Sequence, residues 1–542
     1  MAHSTRSTSQ HLFAKAPNVS RPRSSFDRSH TLKTTFDAGY LVPILVDEVL
    51  PGDSVNCRLT AFGRLATPIF PIMDNLYLET FFFFVPNRLV WDHWEEFCGM
   101  QIDPDPTFST EYILPKAYPT VNAVIPTGSL GDYMGLPANS TQYGPTKAKV
   151  NALPLRGYQL IWNDWFRDQN LQDSIVVSTD DGPDDLDDYD LLKRGKRHDY
   201  FTSALPWAQK GPQVELPLGT TAPILSTGQP IQARASTEAG HRDIAAGQLG
   251  GSLSTLTLSG YGGTAATTNW GADGFTIASM DVDLASATAA TINALRLAAT
   301  VQQFYEIQAR GGTRYIEVVL AHFGAQSPDF RMQRPELLGV GRSYINITPI
   351  AQSSETDTTP LGTLAAFGTL TAHGHGFSKS FVEHGYIIGL ANVRADITYQ
   401  QGINRMWTRS TKFDFFWPVF NNIGEQAVLN QEIFASGTIG TGATDDQGVW
   451  GYQEYAAEYR YKPSQVTGNF SSNSSTSLDT WHLAQDFSAL PPLADAFITE
   501  DPPMTRVLAA STYVNDILLD CRFDYKTARV MSLYSVPGIR RL

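Results

Sequence analysis

A β-sandwich interrupted by long insertions is the fold class that this 542-residue sequence predicts, and three observations predict it. Gly (43) and Pro (32) recur through the whole chain, which argues against long helical bundles and coiled coils. Short apolar or alternating runs are scattered between long polar excursions, the pattern of one sheet system with insertions more than of a row of domains. Hydrophobic residues make up 42% and charged residues only 17%, against about 25% charged in ordinary soluble domains. The chain therefore has a core, and part of its surface is expected to be covered by other subunits.

Residues 1–36 read as a basic arm. Arg6, Lys15, Arg21, Arg23, Arg28 and Lys33 stand against Asp27 alone, among Ser and Pro and without the apolar segment of a signal peptide. After Phe36 the chain turns β-rich: Val55, Leu59 and Ala61 alternate with Asn56, Arg58 and Thr60, the period of a half-buried strand. The run Leu76–Val85, with Phe81, Phe82, Phe83 and Phe84 inside it, is too aromatic and continuous for a surface strand. It predicts a core strand buried on both faces. Even so, the longest apolar run, Phe81–Val85, is far short of the roughly 20 residues that span a membrane. Pro86-Asn87 stops the strand, and Asn87 is placed to cap a helix carrying Val90, Trp94 and Phe97 on one face.

A Pro/Gly/Tyr-rich loop over 100–150 leads to a second amphipathic helix after Pro154, with Tyr158, Ile161, Trp162 and Trp165 on one stripe. Next come Asp180, Asp181, Asp184, Asp185, Asp187, Asp188 and Asp190, without the alternating ligands and final Glu of an EF-hand. This reads as a solvated or subunit-bridging loop. The basic block Lys193, Arg194, Lys196 and Arg197 follows, expected at a subunit contact, paired with those aspartates in a neighbour, or on a DNA-facing side. Residues 211–288 contain no Lys, few other charges and many Gly, Thr, Ser and Ala. They read as a polar surface insertion of small hairpins such as the one around Leu253–Leu258. A helix from about 289 carries Ala290, Ala294, Leu297, Val301 and Phe304 on one stripe and stops at Gly311-Gly312. Tyr315–Phe323 is a second apolar run; Tyr386–Leu390, Ala395–Tyr399 and Val514–Leu519 are further strand candidates, with loops at 351–364, 436–448 and 463–480. The organisation is thus an arm (1–36), a first sandwich part (37–210), the insertion (211–288) and a second part (289–542).

Charge and motifs narrow the function. The net charge of −14 excludes nucleic-acid binding by bulk electrostatics. The arm and the terminal Arg540-Arg541 pair are the local exceptions: each suits a polyanion backbone or an inner surface, or else serves as a solubilising tail or a lace between subunits. Arg outnumbers Lys 28 to 12, a skew toward desolvated contacts. Cys57, Cys98 and Cys521 are few and far apart, so they read as small core residues. No P-loop, H-E-x-x-H, G-x-S-x-G or Rossmann fingerprint is present. His373-Gly-His375, with His384 nearby, is the best metal candidate, yet it lacks a completing Cys or carboxylate pattern and reads as loop histidines. Glu95-Glu96 point apart on a helix and do not make a glycosidase pair. No catalytic residue, metal or cofactor is expected: other carboxylate pairs could still converge in space, but the sequence offers no positive support for an enzyme, and the chain is expected not to be one.

Several long segments together resemble one family: Leu76–Trp91 followed by Trp94–Phe97, Pro154–Asn170, Lys193–Trp207, Ala309–Tyr315, His322–Gly324, Ser327–Asp329, Gln333–Glu336, Glu458–Ser464 and Trp481–Leu483. They are similar to the major capsid protein of the Microviridae, small single-stranded DNA bacteriophages, and especially of its gokushovirus branch. The match runs in order from about 37 to 510 and is weakest across 211–288. It implies an eight-stranded antiparallel jelly roll of the viral capsid type with long insertions, as a T=1 icosahedral homo-oligomer around packaged single-stranded DNA. It further implies a small basic DNA-packaging protein, a minor pilot protein and a bacterial host receptor as partners. Assembly would take place in the host cytoplasm, without membrane insertion. The insertion at 211–288 matches in position the family's threefold protrusion, proposed to meet the receptor. A β-sandwich glycan-binding protein or a glycoside hydrolase is the alternative.

Overall fold

The computed structural model describes residues 23–100, 111–120, 124–139, 141–211, 292–310, 333–357, 359–439, 445–509 and 515–534, with short stretches at 224–225, 231–233, 242–244, 281–282 and 321. Contacts divide the chain into two compact units, Met1–Ala208 with Ala325–Leu542, and Gln209–Gly324.

In the larger unit nine strands build one curled antiparallel sheet: β1 (Ser24–Asp27), β2 (His30–Phe36), β3 (Val42–Val49), β4 (Ser54–Leu65), β5 (Leu76–Pro86), β6 (Glu336–Ala351), β7 (Leu364–Ser380), β8 (Gly385–Ala395) and β9 (Ile517–Arg529). Their order is β1-β9-β4-β7-β6-β5-β8-β3, and β2 prolongs β1 along the same edge of β9. Two four-stranded halves result, β2-β9-β4-β7 and β6-β5-β8-β3, joined where β6 pairs with β7. This is the eight-position jelly roll, β1 and β2 sharing one position.

The halves face each other across one core. In β4, Val55, Cys57, Leu59 and Ala61 point inward, and in β9 Leu519, Cys521, Phe523 and Tyr525 do the same. Phe82 of β5 meets Phe377 of β7 with ring centroids 5.4 Å apart. Strands β5 and β8 are buried along their whole length because a second layer covers their other face. Helix α1 (Leu153–Ile161) and the single π-helical turn after it set Tyr158, Ile161, Trp162 and Phe166 against Phe81, Phe83, Ile388 and Leu390. Gly157 permits that approach, since a Cβ there would lie 3.3 Å from Ile388.

Several expectations need correction. Residues 24–36, grouped above with the basic arm, are strands in the sheet, with Phe36 in the core. The helix expected after Asn87 is two single turns, Asn87–Leu89 and Trp94–Phe97, and the Asn87 side chain caps neither. Between them Asp92 N–H donates to Thr179 O (3.0 Å) and Trp91 Nε1 to Asp181 Oδ1 (2.8 Å), which draws the chain out of helical register. Past Ala395 the chain leaves β8: Asp396 N–H turns to Asn75 O (3.2 Å), and Tyr399 makes only an isolated bridge to Gln485. Cys98 is exposed, unlike Cys57 and Cys521. His375 is no loop residue: it lies in β7, buried, between Thr80 Oγ1 and Ser343 Oγ at 2.9 Å each. Gly341 makes room for its ring, as a Cβ there would stand 2.1 Å from His375 Cγ. Among the described residues no three His, Cys, Asp or Glu side chains are grouped to hold a metal ion, and no helix is long and apolar enough to cross a membrane.

In the smaller unit helix α2 (Ile292–Arg310) is preceded in sequence by short antiparallel pairs, Ile224–Leu225 with Asp281–Val282 and Ile231–Ala233 with Arg242–Ile244. Leu297 and Phe304 are exposed on α2. The expected hairpin at Leu253–Leu258 and most of the run Tyr315–Phe323 lie outside the described residues.

Candidate functional site

Most of the charged candidates among the described residues are matched within the chain. The segment around Gly195 bridges to Thr499, and Lys193 to Tyr40, which lays the basic block over the outer face of β5. Arg194 pairs with Glu79, its guanidinium 4.9 Å over the Phe81 ring. Arg197 reaches Glu79 and Asp396 at 3.0 Å each. Lys193 pairs with Asp501 at 3.0 Å. Lys196 is buried against Phe497, and desolvation lowers its pKa. Arg394, buried between Glu79 and Glu500, is pulled down to about 10 by desolvation. Burial alone would raise Glu79, but Arg194, Arg394 and Arg197 hold it below the ordinary carboxylate range.

The acidic run is tied down in the same way. Asp180 and Asp184 bind the fully buried Arg156, Asp181 accepts from Trp91 and His93, and Asp185 accepts from Thr120. In the arm, Arg23 donates to Ser54 Oγ (2.7 Å), Arg28 grips Asp47 through two 2.7 Å bonds, and Lys33 pairs with Asp520 (2.9 Å). Arg6, Lys15, Arg21, Arg540 and Arg541 lie outside the described residues. Phe81, Phe82, Phe83 and Phe84 are all buried, the even pair in the core between the halves and the odd pair under α1.

Among the described residues two open surfaces stand out. The first is residues 405–423, three 3₁₀ turns at Arg405–Trp407, Lys412–Asp414 and Pro418–Phe420. Arg405 fastens the segment to Glu432 (3.2 Å) and Arg409 to Glu458 (3.1 Å), Asp414 Oδ2 accepts from Ser410 and Thr411 N–H, and Trp417 Nε1 donates to Lys412 O (2.7 Å). On that fixed backbone Trp407 (73%), Phe413 (61%), Trp417 (50%), Val419 (89%) and Ile423 (58%) stand in solvent. Apolar exposure this concentrated marks an interaction surface. Sequence reasoning missed it, because its dense aromatics follow neither a helix nor a strand period; the density itself was the available signal.

The second surface is the outer face of the β2-β9-β4-β7 half. Alternation places Asn56, Arg58, Phe62 and Arg64 of β4 there, beside Leu518, Asp520, Arg522, Asp524 and Lys526 of β9. A groove of about 620 Å³ opens beside Phe62 and Arg64.

Near that groove Asp516 is buried. Desolvation, with Asp37 and Asp501 nearby, pushes its carboxyl up to about 6 despite a bond from Ala38 N–H. The folded state thus binds this proton more tightly than the unfolded chain does. Its contribution is full below about pH 4 and is lost as pH rises through 6, roughly 2–3 kcal/mol in all. Asp516→Asn is expected to remove that decline. Urea midpoints of both proteins between pH 4 and 7 check it, and parallel pH profiles would contradict it.

A family model described as "Capsid protein (F protein)" matches residues 14–539. Similar proteins include the "Capsid protein VP1" of Bdellovibrio phage phiMH2K, 46% identical over 98% of each chain. The protein of the same description from Chlamydia phage 1 is 41% identical over 99% of each chain. That of Spiroplasma virus 4 is 36% identical over 96% of each.

Proposed function

The chain belongs to the phage capsid protein (F protein) family, and from that premise we propose that residues 405–423 form the contact through which its copies close into an icosahedral shell. The role is structural and not enzymatic: a Microviridae capsid protein, a component of the virion. The observation that carries the proposed contact is the row of exposed Trp407, Phe413, Trp417 and Val419 on a braced backbone. Buried tryptophans dominate the energy of such interfaces, at about 2 kcal/mol or more each. Trp407→Ser with Val419→Ser should leave the subunit folded, since both side chains are already wet, and lower the assembled fraction at least about tenfold. Sedimentation velocity with circular dichroism reads both properties, and normal particles from the double variant would refute the contact.

In this reading the shell has T=1 symmetry, as in the gokushovirus branch, and forms in the bacterial cytoplasm. It encloses single-stranded DNA together with a small basic packaging protein and a minor pilot protein. The basic block 193–197 then acts on assembly through the fold of the subunit, because Arg194 and Arg197 brace Glu79. The stretch 211–288 is the outward projection and meets the host receptor. Its polar, Lys-free composition suits a wet surface, and it falls within the smaller unit, Gln209–Gly324. Shortening it to a tight turn should leave the jelly roll folded and abolish adsorption to host cells. Particles that lack the segment and adsorb like the parent would end this part of the reading.

A further inference from the structure

We propose that the open outer face of the β2-β9-β4-β7 half is a track for single-stranded nucleic acid, with Phe62 stacking on a base and Arg58 and Arg64 holding phosphates. The inference rests on the reading of the shell as a container of single-stranded DNA, and goes beyond it by assigning the face and the residues.

Strand geometry supplies the first argument. Arg58, Phe62 and Arg64 lie on one face of β4, with ~7 Å between residues two apart. Phe62 is 52% exposed in a strand whose inward positions are all apolar. Its neighbours across the ladders are Asp520 and Thr371, not other apolar side chains. The ring is therefore an exposed aromatic platform with a guanidinium on either side along β4. Base stacking on such a platform tolerates any sequence, and guanidiniums beside it follow the phosphates. A duplex hides its base faces within the stack, so the ring favours an unpaired strand.

Charge supplies the second. On this face and its edge Lys33, Arg58, Arg64, Arg522 and Lys526 stand against Asp27, Asp520 and Asp524. Lys33 binds Asp520 at 2.9 Å and Arg522 binds Asp524 at 3.3 Å. Asp27 is drawn below its ordinary carboxylate range, chiefly by bonds from Ser29, with Lys526 and Arg522 adding to it. Arg58 and Arg64 make no ion pair among the described residues. A chain of net charge −14 thus keeps a locally positive strip with two unmatched guanidiniums. The 620 Å³ groove adjoins it, lined by Phe62, Tyr133, Arg64 and Lys33 with Asp132 and Asp520 at its wall, a volume in the range of sites that take a small ring system.

Ultraviolet crosslinking of purified particles tests the assignment directly. Trypsin cuts after Arg58 and Arg64, so Phe62 is the only aromatic residue in the peptide Leu59–Arg64. That peptide is expected to carry a nucleotide adduct. Binding of oligo-dT to the full-length unassembled subunit supplies the second readout. Arg58→Gln with Arg64→Gln should flatten the slope of log affinity against log salt by about 1.4, two contacts at ~0.7 each. Phe62→Ala should weaken binding about tenfold with the slope unchanged, and Phe62→Trp should restore it. Adducts confined to other peptides, an unchanged slope, or equal affinity for duplex DNA would overturn the track while leaving the shell reading intact. Particles without single-stranded DNA would instead overturn the reading on which it rests.

Discussion

Replacing Arg156 with alanine is expected to destabilise the subunit by roughly 3–5 kcal/mol, the range for breaking one side of a buried ion pair. The guanidinium is fully buried and makes five hydrogen bonds. Two of them, 2.7 and 2.6 Å long, grip the carboxylate of Asp184, which is itself buried. Others hold the backbone carbonyls of Val90 (3.0 Å) and Asp180 (2.9 Å). Burial works against the charge, yet Asp184 and Tyr189 raise the Arg156 pKa above its ordinary value. Truncation leaves the Asp184 carboxylate buried without its cation, together with the carbonyl of the buried Val90. Arg156→Lys should recover only part of the loss, because an ammonium cannot reproduce the planar fork. Arg156→Leu with Asp184→Asn should be milder than Arg156→Ala, since it removes both charges. Urea unfolding of the unassembled subunit measures all three, and a double variant as unstable as Arg156→Ala would contradict the account.

What the sequence displayed and what it hid divide along the same line. Strand β4 was legible because one face is wet, so its apolar residues alternate cleanly from Val55 to Leu65. Strand β5 was legible for the opposite reason, since a strand covered on both faces becomes a continuous apolar run. Strands β6 and β7, among the longest, went unread. Much of each is exposed, and Gly339, Gly341, Gly368, Gly374 and Gly376 break the alternation. The two strands at the start of the sheet hid behind charge: His30–Phe36 carries Thr, Lys and Ser-flanked polarity on its wet side, so only Leu32 and Phe36 mark the side that packs inward.

Pairing order is beyond local pattern, because β9 meets β4 and β2 across more than 450 residues of chain. The partners that the charged blocks find within the chain had a detectable signal. Glu79 sits inside the most apolar strand and Arg156 inside an apolar helix. A charge in such a place requires a partner, and the nearest dense sources of partners were the blocks at 180–190 and 193–197. The expectation of solvated or intersubunit loops did not weigh that demand from within. The family resemblance, by contrast, was legible in the long ordered segments themselves.

Phe82→Ala is expected to cost roughly 3–5 kcal/mol, as for a large aromatic removed from a core that cannot collapse. Phe82 is fully buried on β5, the strand between β6 and β8. Its register partners on the two sides are Gly339 and Gly389. A Cβ on Gly389 would stand 3.0 Å from both the Phe82 ring and Leu45 Cβ. The ring therefore occupies space that its neighbours vacate, and two glycines have no side chain with which to refill it. Phe82→Leu should retain much of the stability, since it keeps most of the apolar volume. The packing also fixes the sign of a coupling. Gly389→Ala should destabilise the parent, where its methyl meets the ring. In the Phe82→Ala background the same methyl enters the vacated space, so the double variant should be more stable than the sum of the single losses allows. Urea midpoints for the four proteins close the cycle. Strict additivity would mean that the Phe82 ring does not fill the gap over Gly389.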